Sequence, residues 1–184
     1  MIRFFTLYFI YLVCKIKDSK RVTYNGFTVV YSFRDSQITM GRGITINSAP
    51  LSNLMGLYQR TILVARYGGK IKIGDNCGIS GSTIYSMSEI TIGSNVLIGG
   101  NCKIIDNDFH PLQAEKRINQ KSEDIAKRPI SIGDGCFIGA NSLILKGTKL
   151  GANCIVGAGS VVSGEFPENA IIAGNPAMII KHTD

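Results

Sequence analysis

The chemistry this chain can offer converges on one short stretch, Asp106-Asn107-Asp108-Phe109-His110-Pro111. An imidazole that titrates near neutrality is the natural base for taking a proton from a hydroxyl or an amine. Two carboxylates stand two and four residues before it. Either Asp108 or Asp106 is a candidate to orient the ring or to bind an acceptor hydroxyl, with Asp108 favoured because two residues is a local hydrogen-bonding distance. Capping of a turn is the plain alternative for both. Asn107 is a candidate donor to the acceptor, and Pro111 fixes the chain directly after the imidazole. The second of the two histidines, His182, lies in the C-terminal tail and is expected to be solvated. A zinc site built from three histidines therefore fails on count.

The five cysteines, at 14, 77, 102, 136 and 154, form no Cys-x-x-Cys pair. Four of them follow an aliphatic residue by four positions: Ile73 to Cys77, Ile98 to Cys102, Ile132 to Cys136 and Leu150 to Cys154. That spacing puts them in a recurring slot that asks for a small apolar side chain, so they read as buried free thiols of a reducing compartment rather than as nucleophiles.

The element that must carry this chemistry is a repeat. From residue 132 an aliphatic recurs every six positions, at Ile132, Ile138, Ile144, Leu150, Val156 and Val162. Aliphatics make up about a quarter of the 184 residues, so six hits in a fixed register have a chance of about one in 4,000. Ile92, Ile98 and Ile104 continue the step, and Gly often follows directly, as at Gly74, Gly93, Gly99, Gly133, Gly139, Gly151 and Gly157. Six is no helical period and is too short for a hairpin. It suits a short strand and a tight corner where Gly or Asn accepts positive φ, with one aliphatic per hexapeptide pointing inward. Stacked turns of this kind make a parallel β-helix, each turn burying its apolar side only against its neighbours. Two stretches break the register. Residues 47–70 form an excursion, with TILVARYGGK leading back into a coil, and residues 105–129 form a polar insertion that holds His110.

The formal charge of +7 is concentrated outside the repeat. Residues 1–22 carry five basic residues against Asp18, and 115–128 carry five against three acidic ones. No basic stripe remains, and a nucleic-acid partner is not expected. The apolar run Phe4 to Cys14 is eleven residues, about half of what a bilayer-spanning helix needs. No small-residue cleavage site follows it. It reads either as a segment packing on the domain or on a neighbouring subunit, or as an interfacial anchor whose basic cluster at 15–21 faces anionic lipid. The expected division is an N-terminal apolar and basic segment, 1–34, and a β-helix domain, 35–182.

The runs IGSNVLIGGN (92–101), IGDGCFIGANSLIL (132–145), VGAGSVV (156–162) and AGNPAMIIK (173–181) resemble the hexapeptide-repeat acyltransferases. The resemblance implies an all-β, left-handed parallel β-helix with three hexapeptides per coil. The left hand comes from the family alone, since general crossover rules favour the right hand. The Asp-x-Asp-x-His-Pro insertion is similar to the catalytic loop of sugar O-acetyltransferases of bacterial polysaccharide synthesis. There the matching His110 would deprotonate an acceptor hydroxyl that attacks acetyl-CoA directly, with no metal. The same resemblance places coenzyme A in a groove between subunits of a homotrimer. It assigns Gly139, Ala140, Gly157 and Ala158 to the pantetheine arm, Ser163 and Lys181 to the nucleotide end, Pro176 beside the adenine and Phe137 beside the active site. Repeat corners and core packing account for the same residues without a ligand. Ser80 and Ser82, one coil before the insertion, are candidates to face the acceptor; the Asn that galactoside and maltose acetyltransferases carry there has no match. Serine acetyltransferases share the repeat but not this loop. The alternatives are acetylation of an amino-sugar nitrogen and a non-catalytic scaffold. The expected location is the cytoplasm, with peripheral contact at the inner membrane face if the N-terminus anchors.

Overall fold

The computed structural model describes residues 22–183 together with the backbone of Ile16–Lys17. The readings of the apolar run and of Cys14 lie outside the described residues. Strands follow one another around three parallel sheets, every third strand returning to the same sheet. The first face runs through Gln37–Met40, Lys70–Ile73, Glu89–Ile92, Ile130–Ile132 and Lys149–Leu150 to Glu165–Phe166. The second holds Val22–Asn25, Ile44–Asn47, Gly78–Ser80, Leu97–Ile98, Phe137–Ile138, Ile155–Val156 and Ala170–Gly174. The third holds Val29–Ser32, Ile62–Ala65, Thr83–Ser86, Lys103–Ile105, Leu143–Leu145 and Val161–Val162. This is a triangular parallel β-helix.

The six-residue step is the path from one face to the next. Ile132 lies on the first face, Ile138 on the second and Ile144 on the third, all buried. Val156 then pairs directly above Ile138, and Val162 above Ile144. The corners carry the residues that a left-handed backbone tolerates. Between the first and second faces Asn76, Asn95, Asn153 and Asn169 have φ of 57°, 58°, 57° and 61°, and Gly135 takes the same place at 69°. Asn bears this conformation at lower cost than other L-residues because its short amide bonds locally.

The coils begin earlier than residue 35. Val22–Asn25 and Val29–Ser32 pair in parallel register with Ile44–Asn47 and Ile62–Ala65. Their sequence alternates without the hexapeptide glycine, which hides them from the repeat. The excursion is also shorter than 47–70, because Ile62–Ala65 already belongs to the third face. His182 is exposed, as expected, but it ends the strand Ala177–His182, antiparallel to Ala170–Gly174, and so is not in a tail.

Cys77, Cys136 and Cys154 occupy one inner corner and Cys102 another, each 1% exposed or less and none in a disulfide. Burial raises all four thiols, Cys136 to about 11. At pH 8 about one Cys136 in a thousand is then thiolate, the reactive form. A Cys14→Ser variant should expose no thiol to a disulfide-exchange reagent at pH 8 while folded, and four once unfolded in guanidinium. Fast native reaction of any of the four would contradict their burial. The raised values also mean that the thiols' contribution to stability is complete below about pH 9 and is lost as pH climbs towards 11.

Candidate functional site

The insertion leaves the third face after Ile105 and re-enters the first at Ile130. Its base is fastened by backbone hydrogen bonds, from Asp108 N–H to Ala126 O at 3.0 Å and from Arg128 N–H to Asp106 O at 2.9 Å. Pro111 is buried, and a short helix, Ala114–Ile118, spans the tip. Arg117 ties that helix back by donating to the carbonyls of Pro111 and Leu112 at 3.1 and 2.6 Å. Lys116 pairs with Asp124 at 2.8 Å.

Phe109 stands at φ 59°, an uncommon conformation for so large a residue. The Asn107 side chain holds it there by accepting from Phe109 N–H at 3.0 Å, and the Phe109 ring lies 4.8 Å from that of Tyr85. This turn throws the His110 imidazole outward into solvent. Nδ1 is 2.6 Å from the Gln120 Oε1, and the Gln120 amide donates to Phe109 O at 2.8 Å.

The residues expected beside His110 divide. Asp106 is wholly buried and takes hydrogen bonds from Ser86 Oγ, Met87 N–H, Ser88 N–H and the Asn107 amide at 2.6, 2.8, 2.9 and 3.1 Å. It locks the insertion to the previous coil and does not face an acceptor. Asn107 is 5% exposed and is spent on the same turn. Asp108 is paired through Oδ1 with the Lys146 ammonium, while its Oδ2 is buried without a partner. The side chain that meets the imidazole is therefore Gln120.

Ser80 and Ser82 lie on a different edge of the prism, between the second and third faces. Ser80 Oγ accepts from Asn47 and Asn53 at 3.2 and 3.1 Å. Ser82 is fully buried, receiving Cys102 N–H at 2.9 Å. Neither is open to an acceptor within this chain; both hold the excursion and the coil corner instead.

Gly139, Ala140, Gly157 and Ala158 share that second edge, in successive coils. A Cβ on Gly139 would come within 2.5 Å of Ala158 N, so coil stacking alone demands this glycine. Among the described residues the N–H groups of Ala140 and Ala158 have no backbone partner. Phe137 projects outward from the second face at 46% exposure. Pro176 sits in the turn before the last strand, and Lys181 on that strand beside Ile171. Ser163 is exposed on the third-to-first edge. One chain thus separates His110 from the Ala140 and Ala158 edge by the width of its third face.

Two residues of this site escape a reading of the sequence. Lys146 is recoverable from coil register, because Ile105 pairs with Leu145 and places residue 146 beneath the insertion's first turn. Gln120 lies ten residues from His110, and nothing local announces it. Among the described residues no three His, Cys, Asp or Glu side chains gather as a metal site.

The family described as hexapeptide repeat of succinyl-transferase matches residues 89–104 and 129–163. Galactoside O-acetyltransferase of Escherichia coli is 36% identical over 116 residues, 62% of this chain and 55% of that protein. A lipopolysaccharide biosynthesis O-acetyl transferase assigned by name in the same organism, WbbJ, is 34% identical over 119 residues, 61% of each chain. The chain spans less than two thirds of the length of either relative. A hexapeptide-repeat acetyltransferase from Vibrio cholerae, solved with acetyl coenzyme A, superposes with a TM-score of 0.56 at 33% identity, over 61% of this chain and 60% of that one. With its coils in the left-handed parallel β-helix of these proteins and its repeat matched on both sides of the insertion, the chain is similar to the hexapeptide-repeat acyltransferases, and among them to sugar O-acetyltransferases.

Proposed function

We propose that the protein transfers an acetyl group from acetyl-CoA to a hydroxyl of a sugar or polysaccharide precursor. The observation that carries this reading is the His110 imidazole, held outward by a pinned turn with one ring nitrogen unengaged. That nitrogen takes the acceptor's proton as the hydroxyl oxygen attacks the thioester carbon. The carbon–sulfur bond then breaks, and the imidazolium returns its proton to the departing thiolate. A direct transfer of this kind asks for no acyl-enzyme, in keeping with four buried cysteines.

The donor's pantetheine arm is assigned to the Ala140 and Ala158 edge, where two N–H groups without a backbone partner are available to an amide-bearing chain. Pro176 and Lys181 extend that track toward the nucleotide, with Phe137 beside the active site, while Ser163 lies off it on the third-to-first edge of this chain. Since His110 lies on another edge, a second copy brings its insertion to this one, and a homotrimer closes the arrangement. The aligned outward ladder Leu97, Phe137, Ile155 and Ile171 supports such packing, whereas the first face carries the exposed ion pairs Lys72–Glu89 and Lys149–Glu165. Calorimetry with acetyl-CoA, followed by CoA release against a panel of sugars, nucleotide sugars and amino sugars, tests the reading. Saturable binding and release dependent on a hydroxyl acceptor are expected. Absence of acetyl-CoA binding would hand the fold to a scaffold role, and acetylation confined to amines would move the reaction to nitrogen.

A further inference from the structure

We infer that Gln120 is a positioning residue that fixes the tautomer of His110, with the proton on Nδ1 and the lone pair on Nε2. The inference rests on the reading of His110 as the base and adds which nitrogen does the work and why. The Gln120 amide donates through Nε2 to the Phe109 carbonyl, a group that can only accept. This settles which end of the amide faces the imidazole: the acceptor, Oε1, 2.6 Å from Nδ1. Facing an acceptor, Nδ1 must be the donor, and neutral imidazole then has its lone pair on Nε2.

Both ends of this arrangement are braced. His110 N–H donates to Asp108 O at 2.7 Å, and Phe109 is held in its turn by Asn107. Gln120 follows the short helix that Arg117 fastens to the carbonyls of Pro111 and Leu112. No carboxylate contributes: Asp108 is engaged by Lys146, and Asp106 is buried in the coil below. A neutral amide orients the ring without adding charge to it. The inserted segment thus supplies both the base and the group that prepares it.

Two histidines in the chain make the test direct. In the full-length protein labelled with ¹⁵N-histidine, two imidazoles report, and a His110→Ala spectrum assigns them. Above neutral pH the His110 Nδ1 should resonate as a protonated nitrogen and Nε2 as an unprotonated one. Gln120→Ala should pass to the Nε2–H form that free histidine prefers, and its kcat should fall about tenfold, part of what a general base contributes, with acetyl-CoA affinity unchanged. Gln120→Glu keeps an acceptor opposite Nδ1 and should retain the wild-type tautomer. A wild-type Nε2–H signal, or a Gln120→Ala spectrum identical to wild type, would overturn the assignment. The spectrum is read without turnover, so a fully active His110→Ala enzyme would remove the base reading while a tautomer shift in Gln120→Ala still supported the role of Gln120.

Discussion

Replacing His110 by Ala should lower kcat for acetyl transfer by about 10²–10⁴-fold, the usual share of a positioned general base. In barrier terms that is about 3–5 kcal/mol. The fold should be untouched, because the residue's structural contribution is its backbone N–H to Asp108 O, which Ala keeps, and its side chain is exposed. Acetyl-CoA affinity should also be nearly unchanged, since in the proposed arrangement the imidazole serves the acceptor hydroxyl and not the pantetheine arm or the nucleotide. The measurement is paired: calorimetric Kd for acetyl-CoA and steady-state CoA release, on the same preparation. Loss of turnover with intact binding separates a base from a binding residue. Equal turnover in the variant would sink the mechanism and move the base to another residue, whereas a scaffold would release no CoA in either protein.

The β-helix was legible because its core repeats. Each of Ile138, Ile144, Leu150, Val156 and Val162 is buried at the place its six-residue spacing implies, and Gly or Asn stands where the corners need positive φ. The first coils were not legible, because Val22–Asn25 and Val29–Ser32 follow a two-residue alternation that any half-buried strand shares. At the site, the position of His110 followed from motif and insertion together. Its partner did not. Sequence proximity favoured Asp108, yet the Phe109 turn separates that carboxylate from the ring and Lys146 takes it. Gln120 reaches His110 only because the inserted segment doubles back through Ala114–Ile118, a path that no local pattern encodes. Ser80 and Ser82 misled for a related reason. One coil earlier in sequence is not one coil beneath at the same corner, and they fall an edge away.

The second large effect concerns Asp106, and it is an effect on stability. Asp106→Ala should cost about 3–5 kcal/mol, because it leaves the buried N–H of Met87 and the N–H of Ser88 without an acceptor, each worth about 1–3 kcal/mol, and frees Ser86 and Asn107 besides. For a chain of this size the melting temperature should drop by about 10 °C or more. Asp106→Asn preserves shape but not chemistry. One oxygen becomes an NH₂ that faces donors on whichever side it points, toward Met87 and Asn107 or toward Ser88. It should therefore recover only part of the loss. Asp108→Ala is the contrasting variant: the Asp108 side chain is one-fifth exposed and tied to one ammonium, with no backbone N–H depending on it, so the melting temperature should drop by less than for Asp106→Ala. Thermal unfolding and acceptor kinetics on the three variants decide the matter. Were Asp106 instead an acceptor ligand, its substitution would raise KM at constant stability. The geometry forbids that outcome, for a carboxylate that already accepts four hydrogen bonds inside the coil has no lone pair aimed at solvent.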